Sequence, residues 1–241
     1  MPVRALRKTT AAPGTGVISG GAMRAVIETD RLEIAQGLWC YRVDRKRFIT
    51  GGALSNGGDV FAWMKHTLGL PKDVEAQLDK AEPGTHGLTL LPFFSGERSP
   101  YWRADLRGVI AGLTQATAPL DILRASLESV ALRFRQIYGM LAGRFGTPEE
   151  IVATGGALLN SPAWTQMMAD AIGRPLIACT EPEASCRGAA VWALEQIGAI
   201  PNIGVVPASL GATFDPRREY SGAYDRLLAD QQLLFQKIYE S

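Results

Sequence analysis

The sequence predicts an α/β domain with an antiparallel front section and an alternating strand–helix back section. Three observations predict it. Short stretches suited to strands crowd residues 22–50. From Asp121 to Arg144 apolar residues recur at steps of three and four, as on one face of a helix. Beyond that helix, short apolar runs alternate with helical stretches up to about Ile197.

The elements follow in order. Met23 to Glu28 alternates weakly, and Leu38 to Val43 reads as a partner strand. Arg45 to Arg47 is the exposed turn before Phe48-Ile49-Thr50. Glycines at 51–52 and 57–58 lead into a helix over Val60 to Lys65. A polar, helix-prone stretch from Lys72 to Lys80 stops before Pro83-Gly84. Leu88 to Phe94 reads as a buried strand, and Arg107-Gly108 opens the next one.

The long helix carries a stripe of Leu123, Leu127, Val130, Phe134, Ile137 and Leu141. Pro119 and Asp121 suit its first turn, and Gly146 with Pro148 ends it. Next come a strand at Ile151, a helix from Pro162 to Ile172, a strand from Pro175 to Cys179 and a helix from about Glu183 to Ile197. The last helix, Tyr220 to Tyr239, has a stripe of Tyr224, Leu227, Leu228, Leu234, Phe235 and Ile238.

At 241 residues, 46% hydrophobic and 20% charged, the composition is globular, and no repeat or low-complexity linker divides it. Residues 1–20 read as an irregular leader and 21–241 as the domain. The leader has Arg4, Arg7 and Lys8 without an acid, but no apolar core of a targeting signal. A net charge of +1 gives no reason to propose a nucleic-acid or anionic-membrane partner. No apolar run approaches the roughly 18–20 residues that cross a bilayer. Cys40, Cys179 and Cys186 are odd in number without CxxC spacing, which fits a reduced, cytoplasmic chain. His66 and His86 are too few and too isolated for a zinc site, so no protein-held metal is expected.

The segment most suggestive of a ligand is Ile151 to Trp164, a strand running into Gly155-Gly156 ahead of a helix. Two residues without side chains let backbone approach a ligand closely and adopt positive φ. Ser161 suits the N-cap and Pro162 the first helical position, so free N–H groups collect there. A plain tight turn is the alternative. Thr180 to Glu183 has capping-box spacing. Ala184, Gly188 and Ala189 suit close helix packing or a flat ligand. Gly57-Gly58 repeats the logic of glycine before a helix. Asp59 beside it reads as a cap rather than as a catalytic group. Glu97, Arg98, Asp105 and Arg107 read as surface or interdomain ion pairs.

Taken together, four segments resemble the C-terminal half of the FGGY carbohydrate kinases. They are Gly96 to Trp102, Arg107 to Leu113, Thr154 to Trp164 and Glu183 to Ala190, in that family's order and spacing. The resemblance covers about Gly21 to Ala199, and Leu91 to Pro100 is most similar to the gluconokinase and xylulokinase branches. It implies a ribonuclease H-like fold of the actin/hexokinase ATPase type, here as a single C-terminal lobe. It also implies ATP with Mg2+ and a phosphoryl transfer to a sugar or sugar acid.

By that implication Gly155 and Gly156 line the nucleotide site, Asn160 lies beside adenine, and Gly58 sits near the phosphates. The family's Gly-Thr-Ser-Gly phosphate loop falls on Ile18-Ser19-Gly20-Gly21, which keeps a hydroxyl and glycines but not the full pattern. The family's catalytic aspartate lies upstream of the match, leaving Asp59 as the one substitute to consider. Most sugar contacts belong to an N-terminal lobe. The expectation is therefore a half-enzyme, inactive alone, with a leader displaced by truncation or a frame change. Its lobe-facing surface would favour a homodimer or poor solubility. The alternative is a non-catalytic nucleotide-binding or interaction remnant.

Overall fold

Strand pairing in the computed structural model, which describes residues 15–29 and 31–240, starts earlier than the sequence suggests. β1 (Thr15–Ser19) lies within the stretch read as an irregular leader and forms a hairpin with β2 (Ala22–Glu28). The leader reading is thus corrected from Thr15 on, because β1 pairs on both sides and buries Ile18. The rest of that reading, residues 1–14, lies outside the described residues. β3 (Trp39–Arg42) and β4 (Arg47–Ala53) complete the antiparallel part.

Helices α1 (Gly58–Thr67) and α2 (Val74–Lys80) follow, then β5 (Thr89–Leu91) and β6 (Val109–Ala111). These last two pair only with each other. The strand expected over Leu88 to Phe94 is shorter than read, although Leu88, Leu90, Leu91 and Phe93 are all buried.

After α3 (Pro119–Phe145) the alternating section begins. It runs β7 (Glu150–Ala153), the single turn α4 (Gly156–Leu159), α5 (Pro162–Ile172), β8 (Leu176–Cys179) and α6 (Ala184–Gln196). β9 (Leu210–Phe214) and α7 (Ser221–Tyr239) end it. The main sheet has the order β3-β4-β2-β1-β7-β8-β9. β7 runs parallel to β1 and to β8, and β9 returns antiparallel at the edge.

One sheet face is buried by α3, which packs on β2, β4 and α5. Its six stripe residues are all buried. Arg124, Glu128 and Arg133 are buried on the same helix, because α7 and the β5–β6 ribbon cover its other side. Each finds a partner. Arg124 Nε and His86 Nε2 meet the two oxygens of Glu128 at 2.8 and 3.0 Å. Arg133 reaches Glu97 Oε1 at 2.7 Å.

Glu97 is therefore a core residue, not a surface one. Asp105 does pair at the surface, with Arg103, while Arg107 donates to the carbonyls of Ala104 and Leu106. On α7, Tyr224 and Phe235 are buried as the stripe requires, but Ile238 is exposed. Gln231 is buried instead, its amide donating to the carbonyls of Leu90 and Ser129.

The start of α5 follows the sequence closely. Ser161 Oγ accepts the Trp164 N–H at 3.3 Å and donates to Glu75 of α2 at 2.9 Å. Glu75 in turn accepts the Ala163 N–H at 2.8 Å. A hydroxyl and a carboxylate thus share the unpaired amides of one helix end. Ser161→Ala removes both contacts and is expected to cost about 1–2 kcal/mol. For a domain of this size that lowers Tm by about 2–4 °C per kcal/mol, readable in a thermal denaturation curve. By contrast, the capping box expected at Thr180 to Glu183 does not form, since Glu183 is the N-cap and its side chain makes no cap bond.

Candidate functional site

Three glycine-bearing turns meet at one end of the sheet. The β1–β2 turn is Gly20-Gly21, closed by Ser19 Oγ donating to the Ala22 carbonyl at 3.3 Å. The turn from β4 into α1 binds it directly. Gly58 N–H donates to Gly20 O at 2.7 Å, and Leu54 N–H to Gly21 O at 2.9 Å. The turn from β7 into α4 joins from the other side, with Thr154 N–H on Ile18 O at 2.8 Å.

The glycines divide into two sets by what a side chain would meet. A β-carbon on Gly57 would lie 1.6 Å from Gly20 O, and one on Gly58 or Gly20 would lie 2.5 or 2.8 Å from Ala157 Cβ. Those three weld the turns together. Gly21 has nothing within 4 Å of such a position, Gly155 only Ser19 Cβ at 3.7 Å, and Gly156 only Asn160 Nδ2 at 3.4 Å. This second set faces open space, and Gly155, Gly156 and Asn160 are exposed. Gly155 has φ +84°, a conformation in which side chains are strained. Ser19, Gly20, Gly21, Gly58, Gly155, Gly156 and Asn160 are thus brought together. A welded floor carries a ledge of bare backbone with one amide side chain.

Asp59 is exposed and organises the loop beside it. Its Oδ1 accepts the Gly57 N–H at 2.6 Å and its Oδ2 the Asn56 amide at 2.9 Å. The helix cap expected of Asp59 does not form, since Gly57 is the N-cap of α1 and takes no side-chain cap bond; Asp59 braces the preceding loop instead. Asn56 was not singled out in the sequence, yet it is buried and accepts the Ser95 N–H at 2.8 Å. It ties the α1 loop to the segment after β5. A cavity of about 490 Å3 opens there, lined by Asn56, Asp59, Val60, Trp63, Phe94 and Ser95. Asn56 sits inside a polar, glycine-rich run, the one signal that could have marked it.

Beneath this segment lies the Glu97–Arg133 pair. Burial pushes the Glu97 carboxyl up to about 7, outweighing the guanidinium that pulls it down. Among the described residues no group of three or more His, Cys, Asp or Glu side chains could hold a metal ion. Cys40, Cys179 and Cys186 are free, and among the described residues no helix is long and apolar enough to cross a membrane.

Residues 17–196 match the model of the FGGY family of carbohydrate kinases, C-terminal domain. The chain is 29% identical over 237 residues to the gluconokinase of Bacillus subtilis strain 168, an alignment covering 90% of this chain and 46% of that protein. Among solved structures it resembles ligand-bound xylulose kinase from Lactobacillus acidophilus, with a TM-score of 0.84 at 24% identity over 97% of this chain and 49% of that one. It also resembles gluconate kinase from Lactobacillus acidophilus, with a TM-score of 0.83 at 24% identity over 96% and 49%. The chain spans about half the length of the relatives it matches. The fold is the ribonuclease H-like, actin/hexokinase type that the resemblance implied. The match over residues 17–196 places the chain in the FGGY family of carbohydrate kinases, in its C-terminal domain.

Proposed function

We propose that this chain is the ATP-binding part of a kinase that transfers the γ-phosphate to a hydroxyl of a sugar or sugar acid of the gluconate or xylulose kind. The observation that carries the reading is the junction of three turns, with Gly21, Gly155, Gly156 and Asn160 left facing open space. The names of its relatives, gluconokinase and xylulose kinase, support the substrate class.

An adenine nucleotide fits such a ledge. Flat rings lie on bare backbone where no β-carbon intrudes, and the Asn160 amide both donates and accepts. The turn amides at Gly20 and Gly21 are of the kind suited to phosphates, while the Gly58 N–H and the Ser19 hydroxyl are spent on closing the junction, on Gly20 O and the Ala22 carbonyl. ATP supplies the phosphoryl group, and Mg2+ neutralises its charge. With no carboxylate cluster among the described residues to cage it, the ion would rest mainly on phosphate oxygens and water, as Mg2+ commonly does.

We place the base and most acceptor contacts outside this chain, because both Asp59 oxygens are engaged in its own loop. A positioned base contributes about 10²–10⁴ in rate, and alignment of both substrates about 7–11 kcal/mol. The chain alone therefore binds nucleotide without turnover. Self-association through its exposed apolar residues belongs to the same proposal, and light scattering that shows only monomer at rising concentration counts against it.

Calorimetry with a non-hydrolysable ATP analogue and Mg2+ tests the central reading. Saturable binding is expected, and Gly155→Val should weaken it about tenfold or more, through strain at positive φ and a side chain on the ledge. A folded wild-type chain that binds no analogue sinks the reading. A coupled ADP-release assay, with and without the N-terminal half of a gluconokinase relative, separates a half-enzyme from a non-catalytic binder.

A further inference from the structure

We infer that Glu75 is a positioning residue of the nucleotide site, whose carboxylate closes the N-terminus of α5 to phosphate and fixes Asn160 for the base. The inference rests on the nucleotide reading of the ledge. It adds what decides which way round a nucleotide lies there.

The sequence predicts free N–H groups where Pro162 opens α5, the usual seat of an anion. None is left. Asn160 N–H donates to Gly156 O and Ser161 N–H to Leu158 O, both at 3.0 Å. Pro162 has no N–H to offer. Ala163 N–H donates to Glu75 Oε1 at 2.8 Å and Trp164 N–H to Ser161 Oγ at 3.3 Å. Thr165 N–H already bonds Ser161 O at 3.0 Å. A negative charge from the chain itself thus occupies the positive end of α5. A phosphate brought there would meet repulsion and no donor.

Glu75 is held firmly enough to do this. It stands in the first turn of α2, whose Val74 and Leu78 are buried. Leu78 O accepts Arg124 Nη1 at 2.6 Å, and Arg124 is itself paired with Glu128. Ser161 is 1% exposed, and its hydroxyl lies 2.9 and 3.1 Å from the two Glu75 oxygens.

The residue before Ser161 is Asn160, in the short link between α4 and α5. Its backbone is pinned at Gly156 on one side and, through Ser161, at Glu75 on the other. Its exposed amide lies beside Gly156, 3.4 Å from where a β-carbon there would fall. A neutral ring edge with a donor and an acceptor matches that amide, whereas an anion meets the carboxylate behind it. The base therefore lies at the α4–α5 link, and the phosphates run towards Gly20 and Gly21.

The test is calorimetric titration of the 241-residue chain with ADP and with inorganic tripolyphosphate, each with Mg2+. ADP reports base and phosphates together, and tripolyphosphate the phosphates alone. Glu75→Ala should weaken ADP about fivefold or more. Glu75→Gln, whose amide oxygen still accepts the Ala163 N–H, should restore most of that affinity. Both variants remove a charge and should bind tripolyphosphate about twofold more tightly or better. Thermal denaturation checks that each is folded. If Glu75→Ala is not, Glu75→Asp, too short to span both partners, takes its place for ADP. ADP affinity left unchanged in the folded variant overturns the inference. So does an equal fall for ADP and tripolyphosphate, the result of a brace that serves stability alone. Tripolyphosphate no tighter in Glu75→Gln, or ADP as weak there as in the truncated variant, overturns it too. Wild type that binds no ADP would sink the nucleotide reading, while ADP binding by wild type with any of those results sinks only this inference.

Discussion

Gly57→Ala is expected to abolish detectable nucleotide binding, a loss of about 100-fold or more, while a methyl group of the same size at Gly21 is tolerated by the fold. The difference lies in what each β-carbon meets. At Gly57 it would fall 1.6 Å from Gly20 O, 2.7 Å from Gly20 C and 3.0 Å from Gly21 Cα. All three are backbone atoms, so no side chain can swing aside. The β1–β2 turn must move off α1, breaking the Gly58 N–H to Gly20 O bond and straining that of Leu54 to Gly21.

Two hydrogen bonds at about 1 kcal/mol each, with overpacking of about 1–3 kcal/mol, give a destabilisation of about 3–5 kcal/mol. The same shift takes Gly21 off the ledge and Ser19 and Gly20 out of the floor beneath it. Gly21→Ala meets nothing within 4 Å and should keep Tm within about 2 °C of wild type. Thermal denaturation and analogue calorimetry on the two variants check this. Equal behaviour would mean that the junction does not organise the site.

Much of this was readable before any coordinates. The stripe from Leu123 to Leu141 placed α3, and Ser161 with Pro162 fixed the first residue of α5, because periodicity and caps are local signals. Glycine pairs at 57–58 and 155–156 marked two of the three turns. From residue patterns alone their meeting was not readable, since it depends on β7 pairing in parallel with β1 across more than a hundred residues; only the family resemblance put them, with Ser19 to Gly21, at one site.

β9 escaped notice because four of its five residues are exposed and show no alternation. β1 was hidden by the composition of its neighbourhood. Glu97 was misplaced at the surface because a charged residue in a polar loop is usually solvated. Only the return of α3 beneath that loop supplies Arg133. Gln231 and Ile238 exchanged roles on α7 for a related reason, as the ribbon carbonyl of Leu90 needed a donor there. Asn56 could not be ranked from sequence, since its partners Asp59 and Ser95 lie on two separate segments.

Arg133→Met is expected to lose about 3–5 kcal/mol of stability at pH 8 and much less at pH 5. The guanidinium is buried, bonded to Glu97 and Gln136, and stacked over Tyr101 and Phe93 at 4.8 and 5.4 Å. Met keeps the inner, unbranched part of the stem and removes the charge, the donors and the guanidinium that lies over the two rings. Glu97 is then left buried, with its Oε2 already lacking a hydrogen-bond partner among the described residues.

The sign follows from the raised carboxyl. Folded wild type holds a proton on Glu97 up to about pH 7, whereas the unfolded chain releases it near 4.5. Between those values the folded state binds more protons, so this group's contribution falls as pH rises and is lost above about 7. Removing Arg133 takes away the attraction that opposes the burial and extends the loss to higher pH. Glu97→Gln in the same background leaves no charge to bury and should flatten the pH dependence. Urea denaturation of wild type, Arg133→Met and the double variant at pH 5 and pH 8 reads all six values. An Arg133→Met penalty equal at both pH values would show that Glu97 is not the group left unpaired.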